Sequence, residues 1–375
     1  MNIVIAPDSY KGSLSATEVA NTIEQAIAET GSHQIIKKPM ADGGEGTIEA
    51  ILSATNGKNV AISTSGPLGN SIKTNYAIIN KSTAIIETAL HAGLYQVPPQ
   101  NRNPDLTTSF GIGQAILDAI EQGCEQIIVG LGGSATNDGG LGLLQALGLK
   151  TYDSDGNLLD KFGKDLLYIH SINLNELDSR LKKVDFRIAC DVDNPLCGEL
   201  GASAVYGPQK GATSSQISEY DRALDNFADL IETALGQEWR NTPGAGAAGG
   251  LGFAFLTLGG KLDSGAALIA KSIQLEDHLK NADFAITGEG QSDEQTLYGK
   301  APGYVAELAS QWNVPTILLS GSLGKNNHTL RQKFAGCFSI VNRPLSLEEC
   351  MANTSFLLAE QTKQIMALIQ NIRAR

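Results

Sequence analysis

Five times along the chain a short apolar run breaks off into a segment that mixes glycine with carboxylates. The junctions carry Asp8 with Lys11, Asp42 with Glu45, Asp138, Asp191 with Asp193, and Glu289 with Asp293. Each follows a run of strand length, and several lead into helical spacing. Two such units in succession, at Asn2–Ala6 and 34–38, imply parallel strands, since parallel neighbours need a crossover between them. In an open α/β sheet, ligands bind beyond the carboxyl ends of the strands, where these junctions fall. One junction alone reads as a turn or helix cap, because Asp and Gly favour both for local reasons. Five gathered in one site would repel each other, and a divalent cation or a shared proton is the usual remedy.

At 375 residues the chain exceeds the usual size of one core, so two domains are expected. Both chain ends read as regular βα units, whereas the middle is irregular. We therefore expect an α/β protein with two domains. One is an open, mostly parallel sheet of Rossmann- or flavodoxin-like type, built from residues 1–80 and 281–375. The other is an α/β domain inserted at 81–280. Ser15 and Glu18 form a capping-box pattern for a helix to about Ala28. Gly66–Asn70 reads as a hairpin-like connection, and 216–235 has helical spacing with Ile217, Leu224, Phe227 and Ile231 on one face.

A net charge of −12 disfavours nucleic acid and anionic membranes as partners. The longest uncharged span, between Arg240 and Lys261, holds seven glycines and reads as close-packed chain, not a membrane helix. No signal peptide is visible, and five cysteines without paired spacing read as reduced thiols, so a cytoplasmic location is expected. The five histidines and the two tryptophans, Trp239 and Trp312, lie outside any chemical motif and read as structural or exposed.

The richest junction is Gly130–Gly140, GLGGSATNDGG, between the strand run 126–129 and the apolar run from Leu141 to Leu147. Glycine there lets backbone N–H groups approach an anion, and a helix N-terminus would add about half a positive charge. Asp138 is placed to hold magnesium. The chain lacks a Walker A lysine motif and the protein-kinase motif set. Phosphoryl transfer needs a backbone cradle, a metal carboxylate, a base and a cation, and the junctions can supply all four.

The motifs, taken together, resemble the type I family of bacterial glycerate kinases. The matching stretches are Ala6–Gly12 (APDSYKG), Met40–Thr47 (MADGGEGT), Gly130–Gly140, Cys190–Pro195 (CDVDNP) and Tyr206–Gly211 (YGPQKG). Pro243–Gly252 (PGAGAAGGLG), Thr287–Thr296 (TGEGQSDEQT), Gly299–Gly303 (GKAPG) and the Arg102–Gly113 region also match, in order and over nearly the whole chain. The resemblance implies ATP-dependent phosphorylation of D-glycerate, with 2-phosphoglycerate favoured over 3-phosphoglycerate as product. It also implies two α/β domains with the active site in the cleft between them.

On that basis the expected catalytic residues are Asp191 as general base, Lys11 as the cation on phosphate or carboxylate, and Asp42. Asp193 is the alternative base. Expected binding residues are Asp8, Ser9, Gly43, Glu45, Arg102, Gly132, Gly133, Ser134, Thr136, Asn137, Asn194, Lys210, Ser292 and Lys300. Asp138, Asp193, Glu289 and Asp293 are the expected ligands of Mg2+, and ATP and Mg2+ the expected cofactors. The partner is a small molecule, neither nucleic acid nor membrane, and the oligomeric state, a homodimer included, stays open. Two alternatives remain: a kinase for another small hydroxy acid or sugar, and an inactive metabolite sensor. The number of mutually repelling carboxylates disfavours the sensor.

Overall fold

Ile3, Val4 and Ile5 are all buried, and so are Phe284 to Thr287 and Thr316 to Ser320. Strands apolar on both faces belong inside a parallel sheet covered on each side. In the computed structural model, which describes residues 1–325 and 327–374, these strands do lie there. The sheet has five parallel strands in the order Gly336–Ser339, Thr316–Ser320, Phe284–Thr287, Asn2–Ile5, Gln34–Lys37. Helix Ala16–Ala28 begins at the expected capping box, with the Ser15 and Glu18 side chains each bonded to the other's backbone. Its buried face (Val19, Ala20, Ile23, Ile27) packs with Leu357, Leu358, Ile365 and Met366 of the C-terminal helix Thr354–Arg373.

A second sheet has six strands in the order Lys261–Asp263, Asp185–Ala189, Gln126–Gly130, Thr83–Glu87, Ser71–Ile79, Lys58–Ser65. The first four are parallel, and the last two are added antiparallel through the expected turn, where Gly66 N donates to Asn70 O. Its core includes Ile112 and Ile116 from helix Phe110–Glu121 and Leu224, Phe227 and Ile231 from helix Ser214–Leu235. Among the described residues no helix is long and apolar enough to cross a membrane.

The chain divides into two compact units, and their edges differ from the expected 1–80, 81–280 and 281–375. One unit comprises Met1–Asp42, Glu49–Asn56 and Ser264–Arg375; the other comprises Gly43–Ile48 and Gly57–Asp263. The hairpin of residues 58–79 goes with the inserted unit because its hydrogen-bond ladder runs on to Thr83–Glu87. Helices Gly265–Ser272 and Leu275–Leu279 go with the other unit because they pack on helix Ala301–Ser310.

Within the inserted unit the strand ends meet backbone to backbone. A Cβ placed on Gly130 would lie 2.1 Å from Gly43 O, and one on Gly43 would lie 2.4 Å from the Ala189 Cβ. Neither contact leaves space for a methyl group, and a carbonyl in the main chain cannot swing aside as a side chain would. Gly130→Ala is therefore expected to lower stability by about 3 kcal/mol, the upper range for overpacking. Urea unfolding checks this, and an unchanged midpoint would mean the two segments can part freely.

Candidate active site

In the unit built from the chain ends, two neighbouring strands deliver acidic loops. Asp8 follows Asn2–Ile5, and Glu289 follows Phe284–Thr287; Asp8 N donates to Gly288 O at 2.8 Å and ties the two strand ends together. The Asp8 carboxylate is buried and accepts from Ser9 N at 2.6 Å. Burial first, and then the negative charge of Asp42, push Asp8 up to about 7; the Ser9 amide and Lys11 pull against that rise. Lys11 reaches Asp42 at 3.4 Å with its side chain 79% exposed, and the Asp42 charge holds it protonated above the usual lysine range. Asp8, Ser9, Lys11 and Asp42 thus form one constellation.

The Glu289 segment departs from expectation. Glu289 Oε1 accepts from Ser292 Oγ at 3.1 Å and Thr296 Oγ1 at 2.6 Å, and Oε2 faces Lys300 at 3.4 Å. Ser292 is fully buried and bonded also to Ser320 Oγ at 2.7 Å. Asp293 is the N-cap of the turn Glu294–Leu297, accepting from Gln295 N at 2.9 Å. Both carboxylates expected to bind metal here hold their own loop together instead. Lys300 remains half-exposed at its edge.

In the inserted unit, the glycine-rich loop after strand Gln126–Gly130 turns its polar side chains inward. Ser134, Thr136, Asn137 and Asp138 are buried, and only Gly132 and Gly133 reach solvent. Asp138 accepts from Ser109 N at 3.0 Å, Ser109 Oγ at 2.7 Å, Gly140 N at 3.1 Å and Gly142 N at 3.3 Å. It therefore fills the start of helix Leu141–Ala146 with its own carboxylate, which corrects both the anion site expected at that N-terminus and the expected metal ligand. Burial pushes Asp138 up against the pull of these four hydrogen bonds. Ser134 Oγ accepts from Lys210 and Asn137 Nδ2 donates to Ser203 Oγ, whereas Thr136 Oγ1 and Asn137 Oδ1 are buried with no hydrogen-bond partner among the described residues. The outward cradle is glycine backbone alone.

Lys210, expected to meet an anion, is 2% exposed and touches only the protein. Asn194, expected to orient substrate, spends its amide internally, donating to Leu200 O at 2.8 Å and accepting from Tyr206 Oη at 2.6 Å. Asp191 and Asp193 are exposed beyond strand Asp185–Ala189. Arg102 lies half-buried, and its buried Nε lacks a hydrogen-bond partner among the described residues. Gly43 is buried against Ala189, and Glu45 is exposed.

One site residue escaped the sequence reading. Glu87, 3% exposed at the end of strand Thr83–Glu87, accepts from Gly46 N at 3.3 Å and Ile48 N at 2.5 Å. It anchors the start of helix Thr47–Ala54 and with it the Gly43–Gly46 turn. The available signal was a lone charge closing an apolar run, TAIIE. Among the described residues no three His, Cys, Asp or Glu side chains group as a metal cage.

The Asp8 shift carries a pH signature. Its folded-state pKa lies above the ordinary 3.8, so the stabilisation from holding that proton is complete below 3.8 and is lost as pH rises through about 7. Asp8→Asn lacks this loss. In metal-free buffer its melting temperature is expected to gain on that of the natural chain from pH 4 to pH 8, and parallel curves would show that Asp8 ionises normally.

The chain matches the model of the glycerate kinase family over residues 3–370. It is 43% identical to a glycerate kinase from Halalkalibacterium halodurans over 369 residues, 97% of each chain. It is 42% identical to the glycerate 2-kinase of Escherichia coli K12, covering 98% of each. A crystal structure assigned as glycerate kinase 2 from Salmonella typhimurium LT2 superposes with a TM-score of 0.91 at 42% identity, covering both chains completely. With the motifs in order along two α/β units, and a match running almost end to end, the chain belongs to the glycerate kinase family.

Proposed function

We propose that the protein transfers the γ-phosphoryl group of ATP to a hydroxyl of D-glycerate, giving 2-phosphoglycerate. The observation that carries this reading is the 42% identity, over 98% of both chains, to a relative named glycerate 2-kinase. The chemistry of the loops supports it. Exposed backbone at Gly132 and Gly133 suits phosphate oxygens, and Lys11, Lys300 and Arg102 supply local cations in a chain of net charge −12.

Asp191 serves as the base that takes the proton from the attacking hydroxyl, and Lys11 balances charge on the phosphoryl oxygens. The remaining donors are hard oxygens, which fit Mg2+. This ion commonly takes one or two carboxylates and completes its shell with water and phosphate, so no protein cage is needed. Of the four carboxylates expected to hold it, Asp193 is exposed, whereas Asp138 is bonded to Ser109, and Glu289 and Asp293 to their own loop. Bound there, Mg2+ would neutralise phosphate charge.

A second reading of the base has its own support: Asp8 is buried and raised to about 7, closer to the poise of a general base than an exposed carboxylate. The test measures ADP release with D-glycerate, L-glycerate, a sugar or no acceptor, with and without Mg2+. Enolase then consumes the product with and without phosphoglycerate mutase. We expect turnover with D-glycerate and Mg2+, and product consumed without the mutase. Turnover only with another acceptor would overturn the substrate. Asp191→Asn is expected to lower kcat by about 10²–10⁴ with the fold intact. If Asp8→Asn shows that loss and Asp191→Asn does not, Asp8 is the base.

A further inference from the structure

A lysine whose ammonium is fully buried needs a structural reason, because losing its hydration is costly. Lys210 sits in the short turn Pro208–Lys210 that follows helix Ala202–Tyr206. Its Nζ donates to Ser134 Oγ at 3.0 Å and to Thr136 O at 2.6 Å, gripping the glycine-rich loop directly after the exposed Gly132–Gly133 backbone. The same ammonium lies 6.0 Å from the centroid of the Tyr206 ring. Tyr206 Oη in turn donates to Asn194 Oδ1 at 2.6 Å, three residues from Asp191. Asn194 is held at its backbone too, where its carbonyl accepts from Gly246 N at 2.9 Å. A parallel link runs from Asn137 Nδ2 to Ser203 Oγ of the same helix.

Helix Ala202–Tyr206 with Lys210 therefore touches two functional loops at once. We propose that Lys210 and Tyr206 are positioning residues that couple the Gly130–Gly140 loop to the Asp191–Pro195 loop, fixing the spacing between phosphate cradle and base. This rests on the proposed roles of those loops. The coupling itself is a mechanical property that can be read without turnover. The buried state of Lys210 agrees with it: desolvation lowers the ammonium to about 7, and Asp138 of the loop is the charged group that opposes this. Such a group is retained for its bonds to the loop, not for reach into solvent.

Two variants separate coupling from bulk stability. Tyr206→Phe removes only the hydroxyl that holds Asn194, and Lys210→Met removes the ammonium with little change of length. Hydrogen exchange by mass spectrometry is expected to quicken at residues 191–196 in Tyr206→Phe, and at both 131–137 and 191–196 in Lys210→Met. Exchange in strand Gln126–Gly130 should stay unchanged in both. In steady state Tyr206→Phe should lower kcat about tenfold with the KM for ATP unchanged, because a misplaced base costs rate and not nucleotide affinity. Lys210→Met should raise the KM for ATP as well, and the double variant should lose less kcat than the product of the single losses. Unchanged exchange at 191–196 in Tyr206→Phe, or independent losses in the double variant, would overturn the coupling. Should Lys210→Met not fold, the Tyr206→Phe exchange pattern decides alone. Should no acceptor be phosphorylated by the natural chain, exchange still tests the bracket while the kinase reading fails.

Discussion

The inserted unit depends on main chain meeting main chain. Gly130 rests on the carbonyl of Gly43, and Gly43 rests on Ala189, with no room for a side chain at either glycine. This contact brings the ends of Gln126–Gly130 and Asp185–Ala189 against the turn before helix Thr47–Ala54. The Gly43–Gly46 turn and the ends of these two strands thus share one location for a packing reason. The Pro243–Gly252 stretch works on the same principle. A Cβ on Gly249 would fall 2.0 Å from Thr136 O, so the glycine-rich loop lies directly on this platform. Ala248 beside it adopts a φ of +55°, a left-handed conformation that L-residues hold only when their surroundings impose it.

Close packing of backbone leaves polar groups that must be satisfied, and two buried carboxylates do this. Asp138 takes the first amides of helix Leu141–Ala146, and Glu87 takes those of helix Thr47–Ala54. An internal carboxylate at a helix start satisfies orphan donors and offsets the positive end of the dipole, typically stabilising by about 0.3–1 kcal/mol and more when buried. It also removes that end as a landing place for a foreign anion. The loop reaches solvent only at half-buried Gly132 and exposed Gly133, just before the segment that Lys210 holds from inside.

This explains which parts of the molecule were legible in the sequence. Apolar periodicity and local cap chemistry located most strands of the two sheets, though not Lys261–Asp263, and also the helix after Ser15 and the hairpin at Gly66–Asn70, because each is decided by residues close in sequence. Side-chain direction in the loops was not legible. Ser134 and Asn137 read as ligand groups from their chemistry, yet they point inward, where Lys210 and Ser203, more than sixty residues away, bond Ser134 Oγ and Asn137 Nδ2. Asp138 and Asp293 have the composition of metal ligands and the geometry of caps, and pattern alone cannot separate the two. Residues 57–80 fell on the other side of the domain division for the same reason, since only the ladder to Thr83–Glu87 assigns that hairpin.

Strength of pairing separates cations that hold the fold from those left for chemistry. Arg240 is clamped by Glu232, Asp225 and Asp229 of one helix, and Glu232 also receives the backbone amides of Trp239 and Arg240 at 2.7 Å. No ligand could compete with that set without exposing several unpaired charges. Lys11 and Lys300 have instead one carboxylate each, at 3.4 Å. With Lys11 79% exposed, water screens its pair with Asp42, and such pairs contribute about 0–1 kcal/mol. Breaking that pair therefore costs the fold little. The Lys11 ammonium thus stays beside Asp42 while remaining open to solvent.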